Sequence, residues 1–356
     1  MNNVFDGLKV LELASVLAGP AVGMFFSELG ANVIKIENKK TGGDVTRNWK
    51  LEKEHKDAKR SAYYCSINWN KEVLFLDLSI EEDRHKVYSL VKTADVVLAN
   101  YRKSSAIKLK MDYASLKAIN SKIIYGNISG FGEDSERVAF DVVLQAESGF
   151  MFMNGQPGGL STKMPVALID ILAAHHLKEG ILIALLKRIK TGNGAYISVS
   201  LLDAAISSLA NQASNWLMSG HIPQKMGSLH PNIAPYGELF TTNDGKELVL
   251  AIGTDRQFQA LCTYFNRHDL ADNPSYSSNE DRVKNRTQLF HELRQNFQSS
   301  TLDDILTYCI KNNIPVGQVR NMKDVFEDKQ TSDMILTEQI GDFITKTVSS
   351  LAFRIS

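Results

Sequence analysis

A chain of 356 residues is longer than one hydrophobic core usually serves, so two domains are expected. Hydrophobic residues make up 44% and charged ones 22%, an ordinary soluble composition, and 40 basic residues offset 40 acidic ones. That balance gives no reason to expect nucleic acid or an anionic membrane as a partner, so any anion site must be local.

The opening stretch Met1 to Gly7 lacks the basic start and apolar core of a signal peptide. Lys9 to Leu13 reads as a strand, Ala14 to Pro20 as a loop, and Ala21 to Leu29 has helical spacing that Gly30 stops. Val33 to Glu37 resumes as a strand, completing a β-α-β unit. The loop holds Gly19 and Gly23 but does not spell G-x-G-x-x-G, so the dinucleotide fingerprint is absent. The charges of Glu52 to Lys59 read as a solvated loop. Strand Val73 to Asp77, helix Glu81 to Thr93, strand Asp95 to Ala99, helix Tyr113 to Asn120 and strand Lys122 to Ile128 follow. Such alternation predicts an α/β fold with a parallel sheet and helices on both faces.

From Met164 an apolar run reaches Asp170, a helix continues to Lys190, Gly192 and Gly194 turn the chain, and Tyr196 to Ser200 reads as a strand. Asp170 therefore sits where the apolar run becomes a helix, a costly place for a charge unless free N–H groups bond it. Asp is a preferred N-cap, so a capping role and a chemical role are both open. The region Val166 to Leu186 also carries His175, His176, Lys178 and Glu179, which makes it a buried helix rather than a membrane span. The adjacent histidines point about 100° apart, which is wrong for a shared metal, and no metal site is expected.

After Ser219, Gly220, Pro223, Gly227, Pro231 and Pro235 mark a loop-rich linker. Tyr236 to Thr241 and Glu247 to Ala251 flank Asn243-Asp244-Gly245 as a β-hairpin, and Gln257 to Asn266, Arg282 to Gln298 and Leu302 to Asn312 look helical. This predicts a smaller α+β domain over residues 216–329, with Asp255 as a helix N-cap. The large domain is expected over 1–215, completed by 330–356. Cys65, Cys262 and Cys309 are distant and odd in number, which argues against a disulfide framework and fits a reducing cytoplasm.

The ordered series Val16-Leu-Ala-Gly-Pro20, Leu29 to Glu37, Gly43-Asp-Val-Thr-Arg47, Asn70-Lys71 and Ala94 to Arg102 is similar to the class III coenzyme A transferases of the CaiB/BaiF type. Ile128 to Gly132, Asp170 with its helix, Thr191 to Gly194, His230 to Tyr236 and Ile314 to Val319 extend the likeness over nearly the whole chain. The resemblance implies a Rossmann-like large domain and an interlocked homodimer. It also implies an enzyme that takes acyl-CoA and small carboxylic acids as substrates and holds no permanent cofactor. Asp170 would be the catalytic nucleophile, passing through an acyl anhydride and an aspartyl-CoA thioester; the positive end of its helix would favour the ionised form this needs. CoA contacts carried over from the family are Leu17, Ala18, Asn70, Lys71, Asn100, Tyr101, Arg102, Lys108, Arg137 and Asp141. Gly227 and His230-Pro231 would form a loop closing over the acyl group.

Three departures stand out. Relatives often carry Arg-Pro-Gly where this chain has Arg102-Lys-Ser-Ser105. The racemase branch has a His where Phe140 stands, and Phe can neither give nor take the proton that racemisation moves. The chain ends at Phe353-Arg-Ile-Ser356 where many relatives continue, so a trimmed large domain is expected. The rivals are an α-methylacyl-CoA racemase or epimerase, a nicotinamide-dependent oxidoreductase and a non-catalytic CoA-binding protein.

Overall fold

The computed structural model describes residues 3–341 and 343–354; Ile355 and Ser356 of the terminal motif lie outside the described residues. The chain divides into two compact units. The first comprises residues through Met151, Lys163–Pro223 and Ser332 onward, and the second Phe152–Thr162 with Gln224–Thr331. The segment Phe152–Thr162, expected inside the large domain, thus groups with the smaller one, because Gly227 donates its N–H to the Gly155 carbonyl (2.8 Å).

The first unit is built on strands β1 (Lys9–Glu12), β2 (Asn32–Asn38), β3 (Glu72–Leu76), β4 (Val96–Ala99), β5 (Ile124–Ser129) and β6 (Ala195–Ser200). They form one sheet in the order β3-β2-β1-β4-β5-β6, and every pairing is parallel. That is the doubly wound arrangement, whose strand order reverses between β1 and β4. Alternation along the strands feeds two cores. Val10, Val33, Val96 and Leu98 meet Phe26, Ala173, Leu177 and Ile181 on one face. Leu11, Ile36, Val97 and Ala99 meet Val87, Val91 and Leu116 on the other. Both faces being covered is why the strands read as apolar runs rather than as alternating patterns.

The long helix Leu168–Thr191 lies against β5 and β6. A Cβ at Gly180 would sit 2.8 Å from Ile197 Cγ2, so glycine permits that close approach. Gly192, at φ 72°, closes the helix by donating to the Arg188 carbonyl, and Arg188 in turn pairs with Asp95 at 2.9 Å. An antiparallel hairpin, β10 (Ile335–Ile340) and β11 (Phe343–Val348), joins this unit near the chain's end. Among the described residues no helix is long and apolar enough to cross a membrane.

In the second unit β7 (Tyr236–Thr241), β8 (Glu247–Ala251) and β9 (Val316–Gln318) form an antiparallel sheet, with Gly245 at φ 72° in the β7–β8 turn. Two details correct the sequence reading. The helix Asp255–Tyr264 is capped by Thr254 through a capping box with Gln257, while Asp255 is its first residue and pairs with the fully buried Arg282 at 2.7 Å. The expected helix 282–298 is two, Asn279–Lys284 and Arg286–Phe297, broken at Asn285.

Gly194 enters β6 so close to β5 that an added Cβ would overlap the Ile123 carbonyl oxygen. A backbone atom cannot move aside as a side chain can, so Gly194→Ala is expected to cost about 1–3 kcal/mol, measured by urea unfolding.

Candidate active site

A cleft of about 520 Å³ opens within the first unit at the carboxyl ends of β1, β4, β5 and β6. Its walls include Ser15–Ala18 after β1, Asn100–Lys103 after β4, Ser129 and Gly130 from the β5 end, Arg137, Phe140 and Asp170. It therefore spans the point where strand order reverses, the place open α/β sheets offer a ligand.

The loop after β1 is held from beneath by buried charges. Lys35 on β2 bonds Glu12 (2.8 Å), Asp44 (3.2 Å) and the Ala14 carbonyl (2.8 Å), with no exposed side-chain surface on any of the three residues that carry the charges. Asp44 accepts the Val16 N–H at 3.1 Å, and Asn100 clasps Ser15 by accepting its N–H and donating to its carbonyl. These bonds hold Val16 at φ 72°, a strained setting for a β-branched residue. Leu17 then precedes the helix Ala18–Glu28, which has no side-chain cap. Among the described residues the N–H groups of Leu17, Ala18 and Gly19 meet no acceptor, and Pro20 has none to give. Open amides at a helix start favour an anion, and here they belong to the loop that borders the cleft.

Asp170 is the third residue of the long helix, whose N-cap position is Ala167. It is not the cap: the Ile169 N–H, which a side chain at the N-cap position would take, donates to Asp141 at 2.7 Å. Among the described residues the Asp170 carboxylate has no hydrogen-bond partner, and only 8% of the residue is exposed. Burial and the nearby Asp141 push its pKa up to about 7. The expected ionising effect of the helix end is thus outweighed in the ligand-free protein.

The carried-over CoA contacts divide. Leu17, Ala18, Asn100, Tyr101, Arg102 and Arg137 line the cleft together with Asp170. Arg137 pairs with Glu147 and lies 3.7 Å above the Phe131 ring, and Arg102 donates to the Glu136 carbonyl. Lys108 is exposed on the helix Lys103–Leu109 but outside the lining. Lys71 is not a cleft cation: it is buried, bonding Glu12 at 2.8 Å, the Pro20 carbonyl and Asn68, and burial lowers its pKa to about 8. Asn70 also lies away from the cleft, its N–H on Glu338. Asp141 braces the helix that carries Asp170 rather than lining the cleft. Gly227, His230 and Pro231 belong to the second unit, where the His230 ring packs on Tyr236 at 5.0 Å.

Residues the sequence reading passed over include Glu12, Lys35, Asp44 and Gln145, all buried. The signal was present: Glu12 and Lys35 are charges set inside apolar strands that burial on both faces would enclose. A tyrosine group at the cleft's far end, Tyr113, Tyr125 and Tyr196, with centroids 5.1–6.0 Å apart, was also missed. Among the described residues no three His, Cys, Asp or Glu side chains converge as a metal site.

Comparison with known proteins bears on this cleft. The family described as CoA-transferase family III matches residues 5–353. A succinate–glutarate CoA-transferase of Agrobacterium fabrum is 38% identical over 335 residues, 91% of this chain and 82% of that protein. An acetyl-CoA:oxalate CoA-transferase of Acetobacter aceti is 33% identical over 332 residues, 92% and 84% respectively. Among solved structures, a CAIB/BAIF family protein from Brucella suis aligns with a TM-score of 0.88 at 37% identity, covering 100% of this chain and 93% of that one.

Two outcomes follow from the geometry. Lys71→Met leaves Glu12 one partner short in the core and should cost about 3–5 kcal/mol in urea unfolding. Asp170 binds its proton more tightly folded than unfolded, so the wild type loses stability as pH rises from about 4 through about 7. Asp170→Asn removes that loss: thermal melting should show little difference at pH 4 and a gain of up to about 4 kcal/mol at pH 8.

Proposed function

The chain belongs to CoA-transferase family III, and from that premise we propose that it moves CoA from an acyl-CoA to a free carboxylic acid through covalent adducts on Asp170. The observation that carries the reading is a carboxylate without a hydrogen-bond partner among the described residues, at the cleft bordered by the helix with open N-terminal amides.

Asp170, deprotonated, attacks the thioester carbonyl; a C–O bond forms, the C–S bond breaks, and CoA leaves as a thiolate. The thiolate attacks the Asp170 carbonyl of the anhydride, releasing the donor's acid and leaving an aspartyl-CoA thioester. The acceptor carboxylate attacks that thioester to give a second anhydride and free thiolate. Attack of the thiolate on the acceptor's carbonyl makes the new acyl-CoA and returns Asp170 as a carboxylate. Each attack passes through a tetrahedral oxyanion, which the Leu17 and Ala18 amides are suited to stabilise by a few kcal/mol.

CoA brings phosphates and a long neutral arm. Arg102, Arg137 and, at the periphery, Lys108 supply charge, while Asn100 and Tyr101 supply wall. The two relatives described above are named for succinate, glutarate and oxalate, which favours a short dicarboxylic acid as acceptor. A homodimer completes the reading. Against a racemase, Phe140 stands at the cleft wall where a proton donor would be required.

With acyl-CoA and hydroxylamine, the wild type should yield a hydroxamate on the Asp170 peptide by mass spectrometry, and Asp170→Asn none. Thioester exchange between succinyl-CoA and glutarate without deuterium uptake at the α-carbon is the expected activity. An unmodified peptide, or α-hydrogen exchange without transfer, would overturn the reading.

A further inference from the structure

We propose that Asp141 is the positioning residue of the nucleophile: its carboxylate caps the helix that carries Asp170, and its charge raises the energy of the free Asp170 carboxylate, a repulsion that acylation relieves. The inference rests on Asp170 as the nucleophile and adds the residue that sets its reactivity.

The geometry begins with the short helix Asp141–Glu147. Asp141 accepts the Ile169 N–H at 2.7 Å through one oxygen and the Gln145 amide at 2.6 Å through the other. Gln145, one turn on and fully buried, accepts the Met164 N–H at 2.8 Å. Two side chains on one helix face thus hold both ends of the segment Met164–Ile169 that leads the chain to Asp170. The amide Asp141 takes is one of the open groups of the long helix's first turn, and Ala167 at the N-cap position offers no side-chain acceptor. An acid from elsewhere in the fold supplies the cap, and Asp170 is left beside that negative charge without the bond.

The remaining charges on elements around this helix are engaged elsewhere. Glu28 bonds Ser349 and Ser350, Asp203 bonds Ser200, and Arg137 pairs with Glu147. Lys103 on the cleft wall pairs with Asp134, and the Tyr63 phenol is itself pushed up to about 12 by burial and then by Asp170. Burial and Asp141 are the influences on Asp170, and both favour its neutral forms. A proton is one neutral form and an acyl group is another. When Asp170 bonds the thioester carbon and the C–S bond breaks, its negative charge departs on the CoA thiolate. The two-carboxylate repulsion then ends, and the anhydride lies less far uphill. The same repulsion makes the carboxylate more basic and so a stronger nucleophile once deprotonated.

Asp141→Asn tests this, because an amide oxygen can still accept the Ile169 N–H while the charge is gone. Expected are a fall of one pH unit or more in the acid limb of kcat/KM for acyl-CoA and a drop of at least tenfold in kcat. The fraction of enzyme carrying an acyl or CoA adduct, read by intact mass without acceptor, should fall likewise, and melting at pH 8 should stay level or rise. In the Asp170→Asn background the same change should bring no gain in melting temperature, a comparison that needs no activity. Asp141→Ala, lacking the cap as well, should melt lower than Asp141→Asn. An Asp141→Asn enzyme with the wild-type acid limb and adduct fraction would overturn the proposal, as would an equal melting shift in both backgrounds. Absence of any adduct in the wild type would instead overturn the assignment of Asp170.

Discussion

The shape of the cleft depends on six charges shut inside the first unit: Glu12, Glu37 and Asp44 against Lys35, Arg47 and Lys71. Taking such groups out of water costs several kcal/mol each, and only close pairing with full hydrogen bonding offsets it. Here the signs balance, and the bonds run continuously. Lys35 joins Glu12 to Asp44, Lys71 takes the other Glu12 oxygen, and Arg47 meets Glu37 with two bonds while stacking on Tyr64 at 4.0 Å. What the lattice secures is a direction as much as stability. It holds the Val16 backbone in a left-handed conformation, so the loop after β1 leads into a helix whose first amides stay open. A hydrophobic core of similar volume would bind the strands as well but would offer no acceptor for the Val16 N–H.

A second unfavourable feature sits opposite that loop. Asp170 is enclosed, without a hydrogen-bond partner among the described residues and near the Asp141 carboxylate, an arrangement that folding alone disfavours. It persists because the long helix is anchored along its length. Its Leu177 and Ile181 pack onto the sheet, Gly126 and Gly180 let it approach closely, and Arg188 ties its far end to Asp95. Rigid support over seven turns (24 residues) allows one residue in the first turn to be held at high energy. With Asp170 as the proposed nucleophile, stability and reactivity are set by the same side chain in opposite senses.

Several residues change meaning when their neighbours are known. Lys71 precedes a strand and reads as a CoA contact, yet it faces inward to Glu12. Asp141 reads as a ligand contact and is a cap for a helix 28 residues on. Asp255 reads as a cap and is the partner of Arg282. In each case the residue type correctly announces that a hydrogen bond or ion pair exists; which partner receives it depends on contacts between residues far apart in the chain.

The alternation of apolar strands and amphipathic helices was legible directly, because backbone periodicity and burial act over a few residues. So were the parallel sheet, the β7–β8 hairpin and the point near Asp170 where an apolar run becomes the long helix, and the ordered motifs pointed to the family. The hairpin β10–β11, the transfer of Phe152–Thr162 to the second unit and the break at Asn285 were not, since each depends on what packs against it. Nor was the protonation state of Asp170. Its own helix argues for a carboxylate, and only the folded chain brings Asp141 to the Ile169 amide and closes the site from water. Local sequence determines which groups can carry charge; the dielectric around them and the charges beside them are properties of the assembled fold.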